Sequence, residues 1–278
     1  MIVGVNGFKL NDPSAANRVY LDEPVEGLSM APVRTSSGNY SGRNGGYVGA
    51  QFYGARLITF TGRVWADDVF GLENTRRAFE TAVATGSVLL TITTDAGNQY
   101  LVYAYLDSLD MPIVRSWRQA PFTLTLVAPD PTIYDNSGGL NTAAISPVSG
   151  GGVVWPIAWN PVKWRPGGLP TSIVNSGNVA VFPVITLTGP MTNPTITNVS
   201  TNQFFTLQGL TTSAGDVVTI DMYNRTVLLN GGSILAYLTP TSSWFPLLPG
   251  GNSIKLTTTN GSDTVTGTFS WRSGFRGI

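Results

Sequence analysis

From Arg56 to Trp65 the chain reads RLITFTGRVW, with Ile58, Phe60 and Val64 pointing one way and Thr59, Thr61 and Arg63 the other. A period of two is the mark of a strand with one face buried. Phe122–Val127, FTLTLV, alternates as cleanly and stops at Ala128-Pro-Asp-Pro131, where two prolines end any ladder. Between these runs the period changes once. Leu72, Thr75, Arg76, Phe79 and Val83 recur at helical spacing, with Asp67 or Asp68 placed to cap the helix and Gly86 to end it. Glu73 and Arg77 lie four apart and pair on the exposed face. Val88–Thr94 and Gln99–Tyr105 then flank Asp95-Ala-Gly-Asn98, a hairpin signal. Ile2–Val5 opens the chain as a short strand. Residues 34–49, RTSSGNYSGRNGGYVG, carry no period and are rich in Gly, Ser and Asn, so they read as a loop.

Past residue 130 the pattern breaks. Residues 131–172 contain glycine clusters and prolines together with Trp155, Trp159 and Trp164. A disordered linker would be polar, so this segment reads as an ordered arm or long loop that packs on something. From residue 173 the chain is all strand. Thr226–Leu229 and Ile234–Leu238 flank Asn230-Gly-Gly232, and Ile254–Thr259 and Thr264–Trp271 flank Asn260-Gly-Ser262. Turns every 8–12 residues over roughly 100 residues indicate an antiparallel sandwich or jelly roll. The expected organisation is therefore mainly β in two domains, residues 1–130 and 173–278, joined by the 131–172 arm.

Composition narrows the function. Charged residues are 12% of the 278, about half the usual share, and 16 basic side chains balance 16 acidic ones. That argues against nucleic acid or an anionic membrane as partner, since both select a basic surface. Residues 1–130 hold 10 basic and 12 acidic side chains and residues 173–278 only 4 and 3, which supports the domain boundary. A charge-poor chain of this kind is expected to have part of its surface covered by other subunits. Cysteine and histidine are both absent, which removes disulfides, thiolate metal sites and the commonest general base and metal ligand. No cofactor and no metal is expected. No apolar run is long enough to span a membrane, and the MIVGVNGF start lacks the basic n-region of a signal peptide, so synthesis in a cytoplasm is expected.

Catalytic sets are correspondingly poor. Asp67-Asp68 reads more simply as a helix cap, Asp107 and Asp110 as turn chemistry before Pro112, and Asp216 after Gly215 as a turn aspartate. Gly42-Arg-Asn-Gly-Gly-Tyr-Val-Gly49 is no phosphate loop, because Gly-Lys-Ser/Thr is missing and a strand follows it. The tryptophans at 155, 159 and 164 could stack on sugar rings, but aromatics are also enriched where subunits meet, and the second reading is preferred.

Several motifs occur in an order that resembles one family. Val3-Gly-Val-Asn-Gly7, then Gly42-Arg-Asn-Gly45 leading into Phe52-Tyr-Gly-Ala-Arg-Leu-Ile-Thr-Phe-Thr-Gly62, then an acidic helix start resemble the belt domain of distal tail proteins (Dit-like, siphovirus-type tail components) of long-tailed bacteriophages. Asn175-Ser-Gly-Asn178, the Val184–Gly189 strand, Gly215-Asp216, Trp244 and Leu248-Pro-Gly-Gly-Asn252 resemble the galectin-like sandwich that many of them append. The resemblance implies a structural virion protein with no catalytic site, made in the host bacterial cytoplasm and carried in the tail tip. Its amino-terminal domains would form a hexameric ring on the tail tube, with the carboxy-terminal domains facing the tip hub, fibres or receptor-binding proteins. Gly42, Arg43, Gly45, Trp155, Trp159 and Trp164 are the expected interface residues. The alternatives are a carbohydrate-binding host-adhesion module and, less favoured, a tail-associated glycan hydrolase.

Overall fold

The structure, a computed structural model, describes residues 1–14, 18–84, 86–112, 118–148, 152–153, 164–165, 169–260 and 263–278. The chain folds as two units, Met1–Ser137 together with Phe275–Ile278, and Gly138–Gly274.

In the first unit the elements are β1 (Ile2–Val5), β2 (Phe8–Leu10), β3 (Arg18–Glu26), β4 (Val33–Asn39), β5 (Gly46–Tyr53), β6 (Arg56–Trp65), α1 (Val69–Ala82), β7 (Ser87–Thr93), β8 (Gln99–Asp110), β9 (Gln119–Ala128) and β10 (Ile133–Asp135). The main sheet has the order β2-β1-β7-β8-β9-β6-β3, and β10 adds to it beside β8. Its two ends meet: Asn11, just past β2, donates its N–H to Val19 O on β3 at 2.7 Å, so the sheet is nearly closed into a barrel. Closure leaves little free edge. The alternation foreseen for β6 is observed, with Ile58, Phe60 and Val64 fully buried and Leu57, Thr61 and Arg63 exposed. Gly62 continues the inward row because a Cβ there would lie 2.1 Å from Tyr20 O and 2.8 Å from the Phe122 ring.

Helix α1 packs on the barrel core through one stripe. Phe79 has no exposed surface, stacks on Phe8 and meets Phe122 edge-on, both at 5.1 Å between ring centres. Leu72, Thr75, Arg76, Phe79 and Val83 do share the inward stripe. Asp68 is the residue that caps the helix, its Oδ1 accepting from Gly71 N at 2.6 Å. The helix ends earlier than Gly86, at Ala82, because the chain departs at Val83 with that side chain held in the core. The hairpin over Val88–Tyr105 forms as β7 and β8, closed by Thr94 N–H to Asn98 O at 2.9 Å.

Residues 34–49 are a loop only at the tip, residues 40–45. The rest belong to an antiparallel ribbon, β4 paired with β5 from Val33↔Tyr53 to Asn39↔Gly46. The ribbon buries neither face, so its sequence has no reason to alternate, and alternation is the signal by which a strand is recognised.

The second unit contains β11 (Asn141–Ile145), β12 (Gly152–Val153), β13 (Trp164–Arg165), β14 (Thr171–Asn175), β15 (Val184–Thr188), β16 (Met191–Thr192), β17 (Thr195–Asn198), β18 (Gln203–Thr206), β19 (Thr211–Thr212), β20 (Val217–Asp221), β21 (Thr226–Leu229), β22 (Gly232–Ser233), β23 (Gly250–Thr257) and β24 (Thr266–Trp271). Six strands form one sheet, β11-β24-β15-β20-β21-β22, and four form another, β14-β23-β17-β18; the pairings between these strands are antiparallel. Ile185, Leu187, Val218, Ile220 and Phe269 of the first sheet and Ile173, Ile196, Phe205, Ile254 and Leu256 of the second are buried. Their opposite neighbours are Thr-rich, the pattern expected of sheets with one buried face each.

Two expected hairpins are different in the structure. β23 and β24 lie in different sheets, so the link between them crosses from one to the other; residues 261 and 262 of that link lie outside the described residues. Alternation fixes which face a strand buries and is silent on which sheet it joins. After β21 only Gly232–Ser233 return as a strand, and Leu235–Tyr237 is a 3-10 helix. A last strand, β25 (Gly274–Phe275), pairs with β10 and carries the chain back to the first unit.

Candidate assembly surfaces

The β4–β5 ribbon is exposed along almost its whole length. Val48 is 67% exposed, Phe52 64% and Tyr47 52%, large values for apolar or aromatic side chains on paired strands. Arg34 pairs with Phe52 and Gly38 with Tyr47. Residues 34, 36 and 38 of β4 share a face, and the register shift between Thr35 and Ser37, which sets two residues of β5 opposite one of β4, brings Tyr47 to the same face as Phe52 and Arg34. Tyr47 packs over Gly38, and its ring centre lies 6.2 Å from that of Tyr40. Arg43 then folds over the Tyr40 ring at 3.8 Å, a cation–π contact at the tip. The tip is closed by Tyr40 N–H to Gly45 O at 3.1 Å. Gly42 and Gly45 have φ of +77° and +100°, which a side chain would strain, and this turn is what lays Arg43 on Tyr40. Among the expected interface residues, Gly42, Arg43 and Gly45 are thus brought together. The aromatic members Tyr40, Tyr47 and Phe52 were missed as site residues, although two of them lie within the glycine-rich stretch itself.

Trp155 and Trp159 lie outside the described residues. Trp164 sits on β13, paired with Val153. Trp244, the other aromatic considered for stacking, is half-buried with its ring edge-to-face against Phe205 at 4.9 Å.

The ribbon is rooted by Arg56, which is 1% exposed and donates only to backbone carbonyls. Nε and Nη2 reach Pro131 O at 3.0 and 2.9 Å, Nη1 reaches Gly27 O and Ser29 O, and Nη2 reaches Arg276 O at 2.6 Å. Burial lowers the guanidinium pKa from its ordinary value, with Asp130 acting in the opposite sense. The side chain works as a clasp for three segments, among them residues 27–29 that lead into β4.

The carboxylates offer no catalytic pair of the kind considered. Asp67 pairs with Arg18 at 2.8 Å while Asp68 caps α1. Asp107 and Asp110 are not in a turn but on the outer end of β8, exposed. Asp216 accepts from Ser213 N and Asn230 Nδ2, both at 2.8 Å, and those bonds hold its pKa below the ordinary value. Among the described residues no group of three or more His, Cys, Asp or Glu could hold a metal ion. No described helix is long and apolar enough to cross a membrane. A hollow of about 620 Å3 lined by Met1, Glu26, Leu28, Thr94, Asp95 and Ile278 is open to solvent, and its Met1 ammonium is paired with Asp95.

In the second unit the residues of the expected signature are loop clamps. Asn175, Asn198 and Asn252 are all buried. Asn175 Nδ2 donates to Val179 O at 2.7 Å and Leu247 O at 3.2 Å, and its Oδ1 accepts from Gly177 N. Asn252 closes the Leu248–Asn252 turn through Leu248 N and O and Gly250 O, and accepts from Asn198 Nδ2 at 3.3 Å.

Comparison with known proteins finds this two-unit β architecture among phage tail components. Residues 176–273 match the family model described as siphovirus-type tail component, C-terminal domain. The fold as a whole is that of a distal tail (Dit) protein. The Dit protein (gp 19.1) of phage SPP1, described as a paradigm of the hub adsorption apparatus in phages infecting Gram-positive hosts, superposes with a TM-score of 0.69 over 98% of each chain at 15% identity. Chains of the phage P2 baseplate in its activated conformation, with calcium and with strontium, give TM-scores of 0.49 and 0.48 at 9% identity over 97% of each chain. No curated protein matches the sequence.

Proposed function

We propose that the protein is a structural, non-enzymatic subunit of a phage tail tip, a distal tail protein that closes as a hexameric ring on the end of the tail tube. In this reading the amino-terminal unit makes the ring. The carboxy-terminal two-sheet unit, read as galectin-like, faces the tip hub and the fibre or receptor-binding proteins, and the Trp155–Trp164 segment meets a neighbour. The protein would be made in the host cytoplasm and carried in the virion.

One observation carries the reading: the β4–β5 ribbon is paired and ordered, yet both of its faces are exposed. A lone two-stranded hairpin is marginal in water, and aromatics with arginine are the residues that dominate protein interfaces. Such an element is explained by a partner that covers it. The apparatus named for the SPP1 protein supplies the setting.

The test is the mass of the purified protein by light scattering behind a sizing column, with a search for the chain in purified virions. Six copies per particle, or a concentration-dependent climb towards six, and presence in virions are expected. A strict monomer at all concentrations that is also absent from virions would sink the proposal.

A further inference from the structure

The ribbon has one aromatic and basic face: Phe52, Tyr47 and Tyr40 with Arg34 and Arg43. Residues 33–53 contain no acidic side chain. A surface of complementary character exists on the barrel of the same chain. Across β6, β9 and β8 the outward neighbours Leu57, Val127 and Tyr105 are paired in register, and Tyr103 on β8 pairs with Leu89 on β7. Leu57, Leu89, Tyr103 and Tyr105 are all exposed. Further along β8, Asp110 stands in the same outward row as Thr123, and Asp107 is exposed at the register shift beside it. Among the described residues neither aspartate forms a salt bridge.

Resting on the ring reading, we propose that the ribbon of one copy lies on the β6–β9–β8–β7 outer face of the next. Its aromatic face covers Leu57, Tyr103 and Tyr105, and Arg43 at its tip reaches Asp107 and Asp110. Charge complementarity selects this occupant, because the basic, acid-free ribbon meets an apolar face that ends in unpaired acids. Dimensions agree. β4 has seven residues, and Asp110 follows Tyr103 by seven on β8, so at ~3.3 Å per residue the spans are ~20 Å and ~23 Å. The face is three strand spacings wide, ~14 Å, and takes a ribbon whose strands lie ~5 Å apart. The near-closed barrel leaves little edge for pairing, so the face is the surface on offer. The contact joins two different patches, and each copy carries one of each. A repeat of it closes a ring when the rotation allows.

The chain has no cysteine, so disulfide trapping has no background. Tyr47→Cys combined with Tyr105→Cys should give a non-reducing ladder of multimers under mild oxidation, while each single variant stays unlinked. Arg43→Glu should weaken association at least tenfold, and adding Asp107→Lys with Asp110→Lys should restore it, with unchanged circular dichroism throughout. A ring seen by light scattering without the ladder overturns this contact and leaves the ring reading standing. Dimers from Tyr47→Cys alone mean that ribbons pair with one another, and overturn it too. A monomer that yields no ladder overturns this contact, and if the chain is also absent from virions the ring reading falls with it.

Discussion

Asn252 shows how much one buried amide can organise. It is 1% exposed and uses both its oxygen and its nitrogen on the backbone of the turn it closes, at Leu248 and Gly250, while also accepting from Asn198. Asn252→Ala leaves Asn198 Nδ2 buried without a partner, at about 1–3 kcal/mol, and turns the more exposed Leu248 and Gly250 groups over to water. We expect a loss of about 2 kcal/mol in all, a fall of roughly 5–10 °C in the melting midpoint of the second unit by calorimetry. Asn252→Asp should do no better, because it keeps the acceptor, loses the donor and buries a charge. Asp12 acts through charge instead. Its carboxylate accepts from Lys9 Nζ at 2.9 Å and from Ser14 Oγ and N at 2.7 and 2.9 Å, which hold its pKa at about 2 against an ordinary 3.8. A depressed pKa means stabilisation that is whole above the unfolded value and lost as pH falls through the folded one. Urea melts should therefore show Asp12→Asn less stable than the parent at pH 5, with the gap closing between about pH 4 and about pH 2. A gap that stays constant over that range would count against the Lys9 and Ser14 contacts.

At the scale of elements, the helix offers a clean comparison. The sequence left two aspartates able to cap it, and the structure separates them: Asp68 Oδ1 accepts from Gly71 N, while Asp67 forms an exposed ion pair with Arg18. Asp68→Ala should cost about 1 kcal/mol, and Asp67→Ala only a few tenths, about what exposed pairs contribute. Equal losses in denaturant titrations would contradict the cap. The same elements explain what could be read in advance. β6, β7–β8, β9 and the inward stripe of α1 were legible because each buries one face, and burial writes its period into the sequence. The β4–β5 ribbon was not, because it buries nothing in its own chain and the glycines that shape its tip look like those of a loop. Gly42, Arg43 and Gly45 entered the expected interface through family resemblance, whereas Tyr40, Tyr47 and Phe52 needed the register before they shared a face. The crossing between β23 and β24 was hidden for another reason. Val265, Phe269 and Trp271 are buried as their alternation required, but no local pattern says which of two sheets a strand will enter.

At the scale of the whole molecule, the last four residues matter more than their number suggests. They follow the second unit in sequence but belong to the first. Phe275 meets Tyr100 edge-on at 5.7 Å between ring centres, Arg276 O accepts from buried Arg56, and Ile278 N–H donates to Leu28 O at 3.0 Å. Gly277 packs so closely on Ser29 and Met30 that a Cβ would lie 2.8 Å from the Ser29 carbonyl carbon. These contacts fall on the segment that leads into β4, so the tail braces the root of the ribbon. Ending the chain after Gly274 removes a half-buried aromatic and two backbone hydrogen-bond partners, one of them shared with a buried charge, for about 2–4 kcal/mol. The loss should fall on the first unit alone. In hydrogen exchange, amides of β3, β6 and the ribbon should exchange faster while those of β15, β20 and β24 keep their protection. Loss of protection spread evenly through both units would mean that the tail stabilises the chain as one cooperative block, and the brace would have to be abandoned.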